Sequence, residues 1–336
     1  MILTYKMRHH RDFSHELRKA RKVAEFAIQY RTFSSKDVKH IGLKSVISNQ
    51  ILRKYGKNKK IKKVNSVNLV IPNQGIKVDV DERTIRIPCL QFQFNYQFPN
   101  NFKKINQIEI NREYVFVSVT VLEKPEMTVD HWIGVDLNTT GHMAVVARPE
   151  SGKVLKLGKE AEHIHKKYKY IRKDLQKGGK YRKVKQIKSR ESRIVKDLNH
   201  KISRKIVEVA EESNTGISLE RLSNIRENKK HSKSFLYSLN SWSFYQLQKM
   251  IAYKAKLLGI PVVYIDPRYT SQRCSRCGRI GHRQGKTFKC PYCGHVDHAD
   301  VNAAFNIAWR HQSIDQSIAD RDVIEGSTDT PKEATA

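Results

Sequence analysis

Tyr269-Thr-Ser-Gln-Arg-Cys274-Ser-Arg-Cys277-Gly278, followed by Cys290-Pro-Tyr-Cys293-Gly294 and then His298-Ala-Asp300-Val-Asn-Ala-Ala-Phe-Asn306, is the stretch from which the rest of the chain can be read. Cys274, Cys277, Cys290 and Cys293 form two C-x2-C pairs with twelve residues between them, the spacing of a zinc ribbon in which each pair turns back on one ion. Four thiolates complete the tetrahedral shell of one Zn2+ and leave no position for water, so the expected ion is structural. His282, His295 and His298 lie nearby but are not needed as ligands. Cys89, alone in a strand-like run, reads as a small buried hydrophobe.

Asp300 follows the ribbon directly and begins a helical pattern, so a helix-capping role competes with a chemical one. Two further acids sit at the ends of strand-like runs: Asp136 in Trp132-Ile-Gly-Val-Asp136 and Glu220 in Ile217-Ser-Leu-Glu220. Each alone says little. Their setting says more, because 64 Lys and Arg against 33 Asp and Glu give a formal net charge of +31. In so basic a chain a small pocket of acids needs a reason. Two Mg2+ ions about 4 Å apart on shared carboxylates would supply one, since they place hydroxide and stabilise the leaving oxygen in phosphodiester hydrolysis.

That charge also implies a polyanionic partner, because self-repulsion at this level destabilises a compact chain without a counter-charge. Nucleic acid is favoured over a membrane surface: no apolar stretch approaches 18 residues and no charged-then-apolar leader stands at Met1, which reads as cytoplasmic. The length of 336 residues suggests two domains and a small module. Residues 1–63 read as a basic, helical arm, and 64–128 as strands of an antiparallel, barrel-like domain, with alternation clearest in Tyr114–Val121. The alternating aromatics Phe92, Phe94, Tyr96 and Phe98 suit a base-stacking platform, but the buried face of a strand is the preferred reading.

Residues 129–273 read as an α/β domain of alternating strands and helices, including basic helices over 159–212. The ribbon at 274–293 interrupts it, and 294–311 completes it. Lys159 to Lys205 holds 18 Lys or Arg against 5 Asp or Glu, a face suited to a phosphate backbone. Lys166, Lys167, Lys169, Arg172, Lys173, Lys180, Arg182, Lys183, Lys185, Lys188 and Arg190 are the candidate contacts. Asn224 to Ser234 reads as a basic loop, Trp242 to Leu258 as a helix ended by Gly259, and the acidic tail 312–336 as disordered.

The order Gly134-Val-Asp136-Leu, Leu219-Glu220-Arg-Leu222, Tyr253-Lys-Ala255, the two Cys-x2-Cys-Gly turns and Asp300-Val-Asn-Ala-Ala-Phe-Asn-Ile307 resembles TnpB. This is the insertion-sequence-encoded nuclease family related to compact type V CRISPR effectors. The likeness covers roughly Trp132 to Arg310. It implies a RuvC, RNase H-like nuclease domain with Asp136, Glu220 and Asp300 as Mg2+ ligands, preceded by an oligonucleotide-binding-like wedge domain with a helical insertion. It also implies a guide RNA from the element's end that pairs with target double-stranded DNA, while the protein reads a short adjacent motif; the residues leave monomer and dimer open, with a monomer favoured. The chain departs from the family pattern at Asn138, where glycine is usual. His298-Ala299 stands where Asp-Arg commonly precedes the last acid, and the region before Lys63 is short.

Three other functions fit parts of the pattern. A nuclease-inactive RNA-guided regulator would keep the scaffold without the acids. A structural zinc-ribbon RNA-binding protein would use Asp136 and Asp300 only as strand-end and cap residues. A strand-joining transposase would use its own acidic triad, but the ribbon between the second and third acids favours the RuvC arrangement.

Overall fold

A computed structural model describes residues 1–221, except 59 and 139, and residues 244–310. The expected basic loop Asn224 to Ser234, the first turn of the helix expected from Trp242, and the tail 312–336 lie outside the described residues. Two compact units are present, Met1–Glu123 and Lys124–Ala336.

The first unit begins not with a helix but with β1 (Ile2–Arg8), in the stretch read from composition as a helical arm. The strand is drawn in by β7 (Tyr114–Val121), along which it pairs from Ile2↔Thr120 to Arg8↔Tyr114. Helix α1 (Ser14–Tyr30) buries Ala20, Val23, Ala24 and Ala27, an i, i+3, i+4, i+7 stripe of helical period. Helix α2 (Ser45–Lys57) does the same with Ile47, Ile51, Leu52 and Tyr55. Strands β2 (Leu69–Pro72), β3 (Lys77–Asp79), β4 (Thr84–Ile87), β5 (Phe92–Asn95) and β6 (Phe102–Ile110) complete the unit with β7.

They form two open antiparallel sheets, β1-β7-β6-β2 and β3-β4-β5, where the alternation suggested one barrel-like body. The chain leaves the first sheet at the 3-10 turn Asn73–Gly75 between β2 and β3 and returns to it over residues 96–101 between β5 and β6. Phe92, Tyr96 and Phe98 are buried, and Phe98 stacks on Tyr5 at 4.6 Å between ring centroids. The aromatic run is therefore chiefly core.

The second unit is built on a five-stranded sheet. Its strands are β8 (Trp132–Leu137), β9 (Ala144–Arg148), β10 (Lys153–Leu157), β11 (Gly216–Glu220) and β12 (Val262–Ile265), in the order β10-β9-β8-β11-β12. The first three are antiparallel, and β11 runs parallel to both β8 and β12, the mixed α/β sheet expected of an RNase H-like domain. Helices α3 (Glu160–Lys177), α4 (Tyr181–Ile187) and α5 (Arg190–Glu212) connect β10 to β11, and α6 (Phe244–Leu257) precedes β12.

One face of this sheet sends Ile133, Val135, Ile217 and Leu219 into a core with Ile202, Ile206, Leu247 and Ile251 of α5 and α6. The other face receives α7 (Ala299–Arg310), whose Val301 and Ala304 pack on Val145 and Ala147. Between these segments the three-stranded ribbon β13 (His282–Gln284), β14 (Thr287–Lys289) and β15 (Val296–His298) folds around Phe288, Cys274, Cys290 and Ala299. Among the described residues no helix is long and apolar enough to cross a membrane.

Candidate active site and metal centre

Strand alternation assigns the two faces of β8. Ile133 and Val135 face the main core, so Gly134 and Asp136 face α7. A Cβ on Gly134 would lie 1.9 Å from the carbonyl oxygen of Ala304 and 2.5 Å from the nitrogen of Ala308. Only glycine lets the helix come this close. The glycine two residues before Asp136 thus seats the helix that carries Asp300. Ser218 of β11 fixes the same helix by donating its hydroxyl to the Ile307 carbonyl at 2.9 Å.

Parallel pairing of Leu219 with Val135 then sets Glu220 beside Asp136, at the same ends of two adjacent strands. The Asp136 pKa is raised to about 8, by burial first and then by Glu220 and Asp300, against the lowering hydrogen bond from Asn138. Glu220 is also raised, by burial first, while the Thr270 hydroxyl that donates to its carboxylate opposes the shift. A buried Asp136 whose proton affinity is raised by its two neighbouring carboxylates marks a place for a cation.

Asp300 is buried, with 1 % of its surface exposed, and its charge is met from the ribbon. Lys286 Nζ donates to Oδ2 at 2.6 Å and Arg283 Nη2 to Oδ1 at 3.3 Å. Lying inside α7 and engaged by these two side chains, the carboxylate is not placed as a helix cap. Lys286 also reaches the Asn138 Oδ1 at 3.5 Å and the Thr140 carbonyl at 3.3 Å, and the Asn138 amide donates to Asp136 Oδ2 at 2.8 Å. Asn138, one of the places at which the chain departs from the family pattern, is therefore a link between the first and last acids.

Two further asparagines of the last motif hold the site together. Asn302 donates to the Arg273 carbonyl at 2.7 Å and accepts from the Ser275 N–H at 2.9 Å. One turn later Asn306 donates to the carbonyls of Thr270 and Arg273 at 2.8 and 2.6 Å. They tie the segment entering the ribbon to α7 and so hold Thr270 beside Glu220. Arg283, Lys286, Thr270, Asn302 and Asn306 were not singled out from sequence. The asparagine pair carried a readable signal, because i, i+4 amides on a helix otherwise buried through Ala303, Ala304, Ile307 and Ala308 require specific partners.

The cysteines assemble as expected. Cys274 Sγ lies 3.7 Å from Cys293 Sγ and Cys277 Sγ 3.5 Å from Cys290 Sγ, and all four sulfurs fall within 4.8 Å of one another. Both C-x2-C-G turns close alike, Gly278 N–H donating to the Cys274 carbonyl at 2.9 Å and Gly294 N–H to that of Cys290 at 3.2 Å. Burial pushes the Cys274 thiol up to about 12. At Cys290 burial also raises the thiol, but the Cys293 and Tyr292 backbone outweighs it and holds the value at about 6. Among the described residues these cysteines are the group of three or more metal-ligating side chains that meets this spacing; the three carboxylates converge without closing to the same distance.

Of the expected nucleic-acid contacts, Lys166, Lys167, Lys169, Lys173, Lys180, Arg182, Lys183, Lys185, Lys188 and Arg190 are exposed along α3 to α5. Lys166 pairs within its helix with Glu162 at 2.6 Å. Arg172 stands apart: its guanidinium meets the buried Glu191 at 2.5 Å, and His165 approaches the same carboxylate at 3.0 Å. This residue joins α3 to α5 instead of facing outward. Lys254, in the Tyr253-Lys-Ala255 motif, likewise ties α6 to α5 by donating to the His200 carbonyl and the Ser203 hydroxyl at 2.5 and 2.8 Å.

Residues 244–307 match the family model for the Cas12f1-like TNB domain. The CRISPR-associated endodeoxyribonuclease Cas12f1 of Sulfoacidibacillus thermotolerans is 43% identical over 141 residues, 41% of this chain and 32% of the relative. The chain thus spans about a third of that protein. A protein of Escherichia coli provisionally named as the RNA-guided DNA endonuclease InsQ is 36% identical over 74 residues, 21% of this chain and 18% of the relative. A TnpB-like protein of Methanocaldococcus jannaschii is 32% identical over 237 residues, 67% of this chain and 84% of the relative. On a likeness that runs through most of both proteins, the chain belongs to the TnpB family.

Proposed function

We propose that this chain is an RNA-guided DNA endonuclease that hydrolyses phosphodiester bonds in guide-matched DNA beside a short adjacent motif. The observation that carries the reading is the meeting of Asp136, Glu220 and Asp300 in a chain of net charge +31, with Asp136 raised to about 8. Asp136 and Glu220 are buried and resist ionisation in the ion-free protein, so their chemistry fits a divalent metal that would compensate their charge. The names of the Cas12f1 and InsQ relatives support DNA as substrate and RNA as guide.

Asp136, Glu220 and Asp300 would hold Mg2+, which when bound supplies an activated water and charge stabilisation for the leaving oxygen. The chain's own residues set the geometry. Gly134 seats α7, Thr270 orients Glu220 by a hydrogen bond, and Asn302 and Asn306 keep Thr270 in place. Cys274, Cys277, Cys290 and Cys293 would hold one structural Zn2+, giving the small ribbon the rigidity its core of Phe288 and Ala299 does not supply alone. The exposed cations of α3 to α5 would follow the backbone of the RNA or its DNA hybrid, with the protein acting as a monomer in the cytoplasm.

The test is to purify the protein from cells expressing the neighbouring element, sequence its bound RNA, and incubate the complex with matching double-stranded DNA and Mg2+. Cleavage that stops with Asp136→Ala supports the reading. Guide-directed binding without cleavage by the wild type points to the inactive regulator, and no bound RNA overturns the guided reading.

A further inference from the structure

The four cysteines converge within one coordination distance, whereas the three carboxylates do not, and the reason lies in what already occupies Asp300. Its carboxylate is buried and would carry an uncompensated charge but for two cations that come from the ribbon hairpin. The nearer one, Lys286, sits at the turn between β13 and β14 and reaches past Asp300 to the loop that follows β8. There Asn138 takes its second contact and passes it to Asp136. A continuous chain of hydrogen bonds thus runs Asp136, Asn138, Lys286, Asp300, with a single ammonium between the first and last acids.

We propose that Lys286 is an internal counter-cation that holds the carboxylate centre in its ion-free form and must withdraw from Asp300 when a divalent ion binds. This rests on the metal-centre reading given above. An ammonium group is a monovalent cation with donors, so at 2.6 Å from Oδ2 it compensates the charge that an ion would compensate and competes with it for the same oxygen. Release is sterically reasonable because the Lys286 side chain is 37 % exposed and can swing to solvent, whereas Asp300, at 2 %, cannot. The hairpin that presents Lys286 is anchored at the other end by Cys290, one residue beyond β14, and the Ala299 N–H donates to the Lys286 carbonyl at 2.8 Å. The position of the competitor is therefore fixed by the ribbon and by the start of the helix that carries Asp300. In effect the ribbon sets the divalent-ion concentration at which the site loads.

The reciprocity of coupled binding gives the sign. Removing the ammonium removes a competitor and leaves Arg283 as the hairpin's one remaining counter-charge to Asp300 in the ion-free protein, and both effects favour the ion. The experiment uses the full chain with its zinc retained and titrates Mn2+, followed by its electron paramagnetic resonance signal and, separately, by thermal denaturation with and without Mn2+. Lys286→Gln is expected to bind Mn2+ roughly five- to tenfold more tightly than the wild type. Its melting temperature should fall without Mn2+ and recover more on adding it. Lys286→Arg keeps the charge and should bind as the wild type does, and Asn138→Ala, which removes the second contact, should shift affinity in the direction of Lys286→Gln but less.

Equal or weaker Mn2+ binding by Lys286→Gln, in a protein whose wild type binds Mn2+ and whose Asp300→Ala form does not, would overturn the counter-cation and leave the metal centre standing. If Lys286→Gln does not fold, Asn138→Ala decides: unchanged or weakened affinity there overturns the proposal. A wild type that binds no Mn2+ would remove both readings together.

Discussion

The ribbon and the carboxylate centre are both sets of potential ligands in one unit, yet one is gathered and the other is held apart. The cysteine sulfurs sit at 3.5–3.7 Å with backbone N–H groups turned toward Cys290, so the site preassembles from local turns. The carboxylates do not close to this distance: Glu220 and Asp300 raise the proton affinity of the buried Asp136, and the Lys286 ammonium stands at Asp300. A site built from residues on three distant segments depends on long-range packing for position; a site built on two tight turns takes its ligand positions from local backbone and relies on its ion to hold the turns together.

The largest expected effect strikes the preassembled site. Cys290→Ser should lose the one bound zinc, measured by metal analysis, and open the ribbon to protease, since structural zinc contributes on the order of 10 kcal/mol to a segment of this size. Because Lys286, Arg283 and the Asn302 contacts all belong to that folded ribbon or its junction with α7, DNA cleavage should vanish as well. An intact ribbon without zinc would break the comparison at its root.

Next come the acids. Asp136→Ala, Glu220→Ala and Asp300→Ala should each reduce Mg2+-dependent cleavage more than about a hundredfold, the scale of several kcal/mol of transition-state stabilisation, with guide RNA binding unchanged. Measured in combination, the losses should not add, because any one removal unseats a shared ion.

A smaller effect tests packing as the source of position. Asn306→Ala removes two buried hydrogen bonds and should lower the melting temperature by roughly 3–8 °C. Zinc content should stay at one per chain, which would separate damage to the α7 junction from damage to the ribbon.

The carboxylate repulsion has its own pH signature. Asp136 has a folded pKa of about 8 against an ordinary 3.8, so its contribution to stability is present below about pH 4 and is lost as pH rises through about 8. Ion-free protein should therefore melt at progressively lower temperature across this window. Asp136→Asn should flatten that slope, and saturating Mg2+ should offset it. Cys290 of the ribbon, its thiol lowered from 9.0 to about 6, has the opposite sign: its contribution is present above about pH 9 and is lost as pH falls through about 6.

The smallest effect sorts cations already used inside the fold from those facing outward. Lys183→Ala should lower the salt slope of RNA binding by about one and leave stability unchanged. Arg172→Ala should do the reverse, because it strands Glu191 between α3 and α5.

Much of this was legible in the chain itself. Cysteine spacing encodes a turn, and turns are local, so Cys274 to Cys293 could be read as a metal site without knowing the fold. The three acids were legible as candidates because each ends a strand or begins a helix, but their meeting depends on β8 pairing with β11 and on α7 packing against Gly134. Long-range contacts of this kind leave no periodic trace. Strand β1 was hidden because its identity comes from pairing with β7, more than a hundred residues away, and not from its own basic sequence. Arg172 was misread for a related reason: a charge looks alike in sequence whether it faces solvent or a buried carboxylate.

The contact of α7 with Gly134 has one more consequence, in time instead of space. Asp136 and Asp300 are 164 positions apart, and a ribosome adding about 5–20 residues per second takes on the order of 10–30 s to travel between them. Throughout that interval the nascent chain has its first acid and, later, its second, but nothing to dock beneath the glycine. The unfinished chain cannot complete its carboxylate centre until the last helix has left the tunnel.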